Sequence, residues 1–496
     1  MKIIFVTQGE YALFYLDLLP LLAKELTLDR VGFYVTSRSN NARYLKRAVS
    51  LNLQVDFLKG WDLTSAEDRA DDDFLKTLEV KFGEPFLWNA LVIDRRIYNG
   101  VLTKYKQDYK PRFTHDEMLA VLQKSFKAIL QFVEDISPDI IIGGFTPVTS
   151  AEYIFYRCAK IKGIKYINLN PTKILNRVTF SEEIYREFPH FRKDYADYLQ
   201  QQDQDVFLGQ AKQYLQTRDK KYEGVIASSA RFPCRQWLSS IFRYPFVVAR
   251  YYLRKAYLDN EERGYQWGYF YKNIRNPIRD KILRIVLPYG SVEELNECSY
   301  AYYPLHVEPE IALSLFGREY LNQIELVRNI AKSVPVTWKL VVKDHPAGVG
   351  RRNIGYYRKL LGIPNVVLVD HYVDSERIVE NAKMVFTVSG FSGFEAILKR
   401  KPVITFGTTF YDVLPDDMVR NVRSLRKLPS VVKGLLDGYR YSEKDVVCLI
   451  AATLKNSTPL NLYEEVLNKK GRITVDGKTF DEQKRDFIDF LLRSMR

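Results

Sequence analysis

Several features are scarce in this chain of 496 residues, and each scarcity excludes a class of protein. The four cysteines, Cys158, Cys234, Cys298 and Cys448, lie far apart. Without paired spacing they form neither a zinc ribbon nor a disulfide framework, and they fit a reducing compartment. No apolar run reaches the roughly 18 residues that a membrane-crossing helix needs. The opening Met1-Lys-Ile-Ile-Phe-Val-Thr-Gln-Gly9 is followed by no signal-peptide core or cleavage site, so it reads as a first strand entering a loop. The expected location is therefore the cytoplasm. Internal repeats, low-complexity tracts and recognisable nucleic-acid modules are absent from the pattern. Only five histidines occur.

What is present is a hydrophobic fraction of 46% and a charged fraction of 27%, the balance of a globular protein. The length calls for two or three domains. Net charge is +14, from 74 basic and 60 acidic residues. An excess of this size calls for an anionic partner such as nucleotide phosphates, an acidic glycan or a membrane surface. It is concentrated between Arg231 and Arg284, where 12 Lys/Arg stand against 4 Asp/Glu among 13 aromatics. Within it, Pro245–Leu258 reads as a helix with Arg250 and Arg254 one turn apart. Two readings fit: a peripheral helix on the inner face of the cell membrane, or a packed insertion with solvated arginines.

Hydrophobic runs divide the rest into two α/β halves, each built on a parallel sheet. The first has strands at Lys2–Thr7, Arg30–Thr36, Leu53–Leu58, Asp139–Gly144 and Lys165–Leu169. The second has strands at Tyr300–Tyr303, Thr337–Lys343, Val366–Val369, Met384–Val388 and Val403–Phe406. The expected domains are 1–180, a helical, basic and aromatic insertion over 181–297, 298–430, and C-terminal helices over 431–496.

Four motifs leave strand ends of the second half: Tyr302–Glu310, Val342–Pro346, Ser389–Ala396 and Lys401–Gly407. Strand ends of this kind are where open α/β sheets bind nucleotides, and they point to a nucleotide-dependent transferase. Lys343, His345 and Pro346 stand at one such end. The proline keeps His345 out of helical geometry, and the two cations suit a phosphate leaving group. Ser389, Gly390, Ser392 and Gly393 form a small-residue loop before a helix expected to start near Phe394. Backbone N–H groups there can approach an anion. The spacing is neither Gly-x-Gly-x-x-Gly nor a loop ending in Gly-Lys-Ser/Thr, which argues against a dehydrogenase or a P-loop ATPase, and no cofactor is expected. Glu395 has two readings: the partner of Ser392 in a capping box, or a ligand to a ribose hydroxyl. The first motif offers His306, Glu308 and Glu310 on a loop that Pro304 and Pro309 hold stiff. In the first half, the loops after the first and fourth strands should share a cleft. They offer Gln8, Glu10 and Thr146, with Glu10 the candidate base or nucleophile and a helix N-terminal carboxylate its alternative. Thr149 and Glu152 read as a capping box.

Taken in order, Pro-Leu-His-x-x-Pro-Glu, Asn322-Gln323, Lys-Asp-His-Pro, Ser-Gly-Phe-Ser-Gly-Phe-Glu-Ala and Lys-Pro-Val-Ile-Thr-Phe-Gly resemble the capsule polysaccharide biosynthesis family, which includes the β-Kdo transferases of bacterial capsule assembly. The resemblance is specific over about Tyr300–Leu414 and weaker over Asp139–Thr172. It implies a GT-B-like architecture: two Rossmann-like domains facing a cleft, with no essential metal. It also implies a nucleotide-sugar donor, often a CMP-sugar such as CMP-Kdo, and a glycan or glycolipid acceptor. His345 and Lys343 would meet the phosphate, and Ser389, Gly390, Ser392 and Gly393 would line the nucleotide. Those transferases tend to carry Gln where this chain has His306, so another nucleotide sugar stays open. A nucleotide-sugar 2-epimerase, a glycerophosphate polymerase using CDP-glycerol and a non-catalytic export component are the rival readings.

Overall fold

A computed structural model describes residues 1–51, 53–64, 69–83, 85–98, 113–144, 149–172, 174–185, 189–200, 205–217, 234–254, 265–348, 350–462, 466 and 478–495. Two sheets organise the chain. The first contains β1 (Lys2–Val6), β2 (Arg30–Val35), β3 (Val55–Lys59), β4 (Ile140–Gly143), β5 (Lys165–Pro171) and β6 (Arg177–Ser181). The second contains β7 (Tyr300–Pro304), β8 (Lys339–Lys343), β9 (Val366–Val369), β10 (Met384–Thr387), β11 (Val403–Thr405) and β12 (Val419–Asn421), and a last strand, β13 (Ser457–Pro459), returns to the first sheet.

The first sheet runs β13-β6-β5-β4-β1-β2-β3, and the second β12-β11-β10-β7-β8-β9. Pairing is parallel throughout the second sheet and from β3 to β5 in the first, while β6 and β13 pair antiparallel at the edge. Strands such as Ile140–Gly143 and Met384–Thr387 are buried at every position because helices cover both faces. Both sheets reverse strand order beside their first strand, between β1 and β4 and between β7 and β10. Such a reversal opens a crevice at the carboxyl ends of the strands.

Several sequence expectations shift. β12 and β13 are edge strands of three residues and β6 lies just inside β13; all three have little apolar pattern and emerge only through their pairing. The expected helix Arg318–Ser333 is a 3₁₀ turn at Arg318–Tyr320 followed by a helix at Gln323–Ala331, because Asn322 Oδ1 accepts the Glu325 N–H at 3.3 Å and caps the new start. The basic helix begins at Cys234 rather than Pro245 and keeps Pro245 inside it. Of its expected end, 255–258 lie outside the described residues.

The C-terminal region links the halves. Helix Glu443–Lys455 shares an apolar core with the second sheet. β13 then pairs with β6, and helix Phe480–Met495 covers the first sheet, with Phe487 5.8 Å from Phe14. Ile311, Leu315 and Phe316, from just beyond β7, join the core of the first half. No described helix is long and apolar enough to cross a membrane.

Candidate functional site at the interdomain cleft

A solvent-open cleft lies between the halves, beyond the carboxyl ends of β10 and β11. From the first half it takes Asn170, Pro171, Thr172 and Thr179, the β5–β6 turn and its flank. From the second it takes Ser389, Gly390 and Phe391 after β10, and Thr409, Phe410 and Tyr411 after β11, while Phe191 and Thr453 complete the wall.

The loop after β10 departs from expectation in one respect. Gly390, extended at φ −79°, ψ 153°, is itself the N-cap, and the helix runs Phe391–Leu398. No side chain caps this start, so the Ser392–Glu395 capping box does not form. Gly390 donates its N–H to Thr387 Oγ1 at 3.0 Å and accepts the Tyr411 hydroxyl at 2.6 Å. A Cβ on Gly390 would meet Thr387 Oγ1 at 2.7 Å, and one on Gly393 would lie 2.2 Å from the Tyr411 hydroxyl oxygen. Gly393 thus makes room for Tyr411. Ser389 donates to the Ala312 carbonyl at 3.3 Å.

His306 is buried under this loop. Its Nε2 accepts the Val388 N–H at 3.3 Å and lies 3.4 Å from Thr387 Oγ1, so the other ring nitrogen carries the proton when the imidazole is neutral. Gln323, buried, holds the His306 backbone at both ends: Oε1 accepts its N–H at 2.7 Å and Nε2 donates to its carbonyl at 3.0 Å. Gln323 also donates to Glu308, which accepts the Tyr356 hydroxyl at 3.0 Å.

Side chains alternate across β8, which separates neighbours in the second motif. Asp344 turns to one face, where it pairs with the buried Arg352 and accepts the Tyr357 hydroxyl and the His345 N–H. Arg352 also donates to the His306 carbonyl and lies 3.6 Å from Glu308. Burial opposes its charge, yet Asp344, Tyr356 and Glu308 hold its pKa well above the ordinary value. Lys343 turns to the other face and donates to Ser375 Oγ at 2.6 Å. Burial pushes its pKa down to about 8, against the opposing pull of Asp374, Glu395, Asp370 and Asp344. Glu395 therefore lies in the field of Lys343. His345 is half-buried, and Pro346 opens the 3₁₀ turn Pro346–Gly348 that follows it.

In the first half, Thr149 and Glu152 form the expected capping box, and Gln8 Nε2 donates to both Glu152 carboxylate oxygens at 2.8 Å. That bond joins the loop after β1 to the first turn of the helix Ser150–Lys162 that follows β4. Glu10 accepts from Asn40 at 3.0 Å and pairs with Arg43 at 3.2 Å. Glu310 is exposed at the start of the turn Ile311–Ser314. Neither carboxylate is among the described residues that line the cleft. Thr146 lies outside the described residues. Among those residues no group of three or more His, Cys, Asp and Glu side chains is placed to hold a metal ion.

Sequence reasoning passed over Arg352, Asp344 and the Phe410-Tyr411 pair. The aromatics follow Gly407 directly, and that adjacency to a motif was the available signal. Arg352 has no local signal, because its partners converge from three separate segments.

Comparison with known proteins locates the resemblance. Residues 247–417 match the family described as capsule polysaccharide biosynthesis protein. The capsule polysaccharide export protein KpsS of Escherichia coli is 28% identical over 103 residues, 19% of this chain. The match spans 25% of that relative's length. Among solved structures, the β-Kdo 2,7 transferase of Thermosulfurimonas dismutans KpsC aligns over 75% of this chain and 90% of its own, at 13% identity and a TM-score of 0.38. UDP-GlcNAc 2-epimerase from Neisseria meningitidis aligns over 99% and 100%, at 12% identity and a TM-score of 0.26. The stretch that supplies the loops after β7, β8 and β10 thus carries the sequence pattern of the capsule polysaccharide biosynthesis family.

Proposed function

We propose that this protein is a glycosyltransferase of surface-polysaccharide synthesis that takes a nucleotide-sugar donor against its second sheet. The observation that supports this best is the turn Ser389-Gly390-Phe391. It lies at the strand-order reversal, opens a helix that no side chain caps, and faces a cleft whose opposite wall is Asn170–Thr172. A helix start of this kind favours phosphoryl oxygens. Phe391, Phe410 and Tyr411 offer aromatic surface to a base.

In this reading Ser389, Gly390, Ser392 and Gly393 hold the nucleotide, and Lys343, His345 and Pro346 form the adjacent phosphate side with Glu395. His306 and Gln323 position the loops. Glu10, Gln8, Thr146 and Glu310 belong to the acceptor side, where a glycan or glycolipid would approach. Closure of the halves would exclude water and limit donor hydrolysis. CMP-Kdo is one candidate donor, and the chemistry needs no metal in this proposal.

The name of the Escherichia coli relative favours a second reading, a non-catalytic component of polysaccharide export. Thermal-shift measurements with CMP, CDP, UDP and GDP, followed by turnover assays with the matching sugar nucleotide, separate the readings. A transferase is stabilised by one nucleotide and releases it only with an acceptor present. Stabilisation by none supports the export reading. Conversion of the donor without an acceptor supports an epimerase.

A further inference from the structure

The basic helix Cys234–Arg254 exposes the side that an ordinary surface helix would bury. Leu238, Ile241, Phe242, Phe246, Tyr252 and Leu253 are all exposed, with Phe242 at 74%, Phe246 at 77% and Leu253 at 84%. At about 100° per residue these six positions fall within an arc of about 140°. The opposite side packs: Ser240 is buried, and Tyr244 stacks on Tyr269 at 6.4 Å and meets Phe270 at 5.5 Å. The outward stripe is therefore not the face used for folding. On the returning helix Asn276–Val286, exposed Ile278, Ile282, Ile285 and Val286 repeat the helical spacing.

Charge narrows the occupant. Helix Cys234–Arg254 holds no Asp or Glu at all. Arg243 and Arg250, seven residues apart and both exposed, lie along one border of the apolar arc. An apolar stripe rimmed by arginines and free of carboxylates matches the boundary layer of an anionic bilayer: rings and aliphatic groups enter at headgroup depth while guanidiniums meet lipid phosphates. Neither helix is long and apolar enough to span.

We infer that helix Cys234–Arg254 docks the protein in plane on an anionic lipid surface, through its Phe242/Phe246 stripe and its Arg243/Arg250 border. The inference rests on this surface alone and not on the enzymatic reading.

Flotation of the full chain with phosphatidylcholine vesicles, with and without phosphatidylglycerol, tests it. The protein is expected to float with the anionic vesicles, to float poorly with the neutral ones, and to be released by high salt. Phe242→Ser/Phe246→Ser and Arg243→Gln/Arg250→Gln should each lower the bound fraction by about tenfold or more. These side chains are exposed, so both variants should keep the wild-type melting temperature and nucleotide-induced shift, which report separately on the fold and the cleft. Equal flotation by wild type and variants overturns the inference. So does light scattering that shows a stable oligomer dissociated by Phe242→Ser/Phe246→Ser, since a second copy would then cover the stripe.

Discussion

Arg352 and Asp344 form an ion pair in which the arginine side chain has no solvent exposure and the aspartate very little. Through the same guanidinium, Arg352 reaches the carboxylate of Glu308 and the carbonyl of His306. One buried cation therefore ties the loop after β7 to the loop after β8. Replacing it by an apolar residue leaves two carboxylates in the interior without their counter-charge. Arg352→Met is expected to cost about 3–5 kcal/mol, the usual result of breaking a buried pair from one side. Chemical denaturation measures this. A loss under about 1 kcal/mol would mean that the pair is replaceable by solvent.

Gly393→Ala would place a methyl group against the Tyr411 hydroxyl, which itself donates to Gly390. The ring must then leave its place in the cleft wall. A loss of about 1–3 kcal/mol is expected from overpacking, together with weaker nucleotide binding. Gly434→Ala is the control, because nothing lies within 4 Å of its added Cβ, inside helix Leu428–Gly438. That change should be neutral or stabilising by about 0.5–1 kcal/mol. Melting curves of the two variants compare them directly.

Lys343 carries a pH dependence whose sign follows from its lowered pKa of about 8. Between about 8 and the ordinary lysine value near 10.4, the unfolded chain binds a proton that the folded chain has released. Folded stability contributed by this group therefore rises with pH through that window, and the cost of burying the charge is fully present below it. Relative to Lys343→Met, the wild type should gain stability between about pH 8 and 10, by about 1.4 kcal/mol for each step of one in pH. Parallel slopes for the two proteins would show that the ammonium is not desolvated.

Glu10 is held by Asn40 and Arg43 in a partly exposed pair. Glu10→Gln should change stability by less than about 1 kcal/mol. Its effect on turnover separates the two sequence readings: a base or nucleophile toward the sugar loses activity by orders of magnitude, while a helix-terminal carboxylate loses little. The pairing seen here favours the small effect, and a steady-state assay of the variant decides.

The two-sheet architecture was legible because its central strands are continuous apolar runs. Ile140–Gly143, Tyr300–Pro304 and Met384–Thr387 all lie where the hydrophobic pattern predicts them. The edge strands β3 and β9 were legible from their apolar runs, but β12 and β13 were not. Val419–Asn421 and Ser457–Pro459 are three residues each, and their conformation depends on partners elsewhere in the chain. At the cleft, the loop Ser389–Phe391 was readable from small residues between a strand and a helix, though its helix starts at Phe391 rather than Phe394. His306 was readable as special but not as a group packed beneath that loop. Its orientation depends on Gln323 and Arg352, which approach it from different segments. Local pattern carries no information about such convergence.

In the proposed function the Ser389–Phe391 turn receives the phosphoryl group of an activated sugar. Crystals soaked with the nucleotide that raises the melting temperature would show where that group sits. Phosphate density is expected against Gly390 and Phe391 with the base beside Phe410, and binding should be lost in Gly390→Val, whose side chain would intrude on Thr387 and His306. Nucleotide bound elsewhere with that turn vacant, or unchanged binding by Gly390→Val, would contradict it.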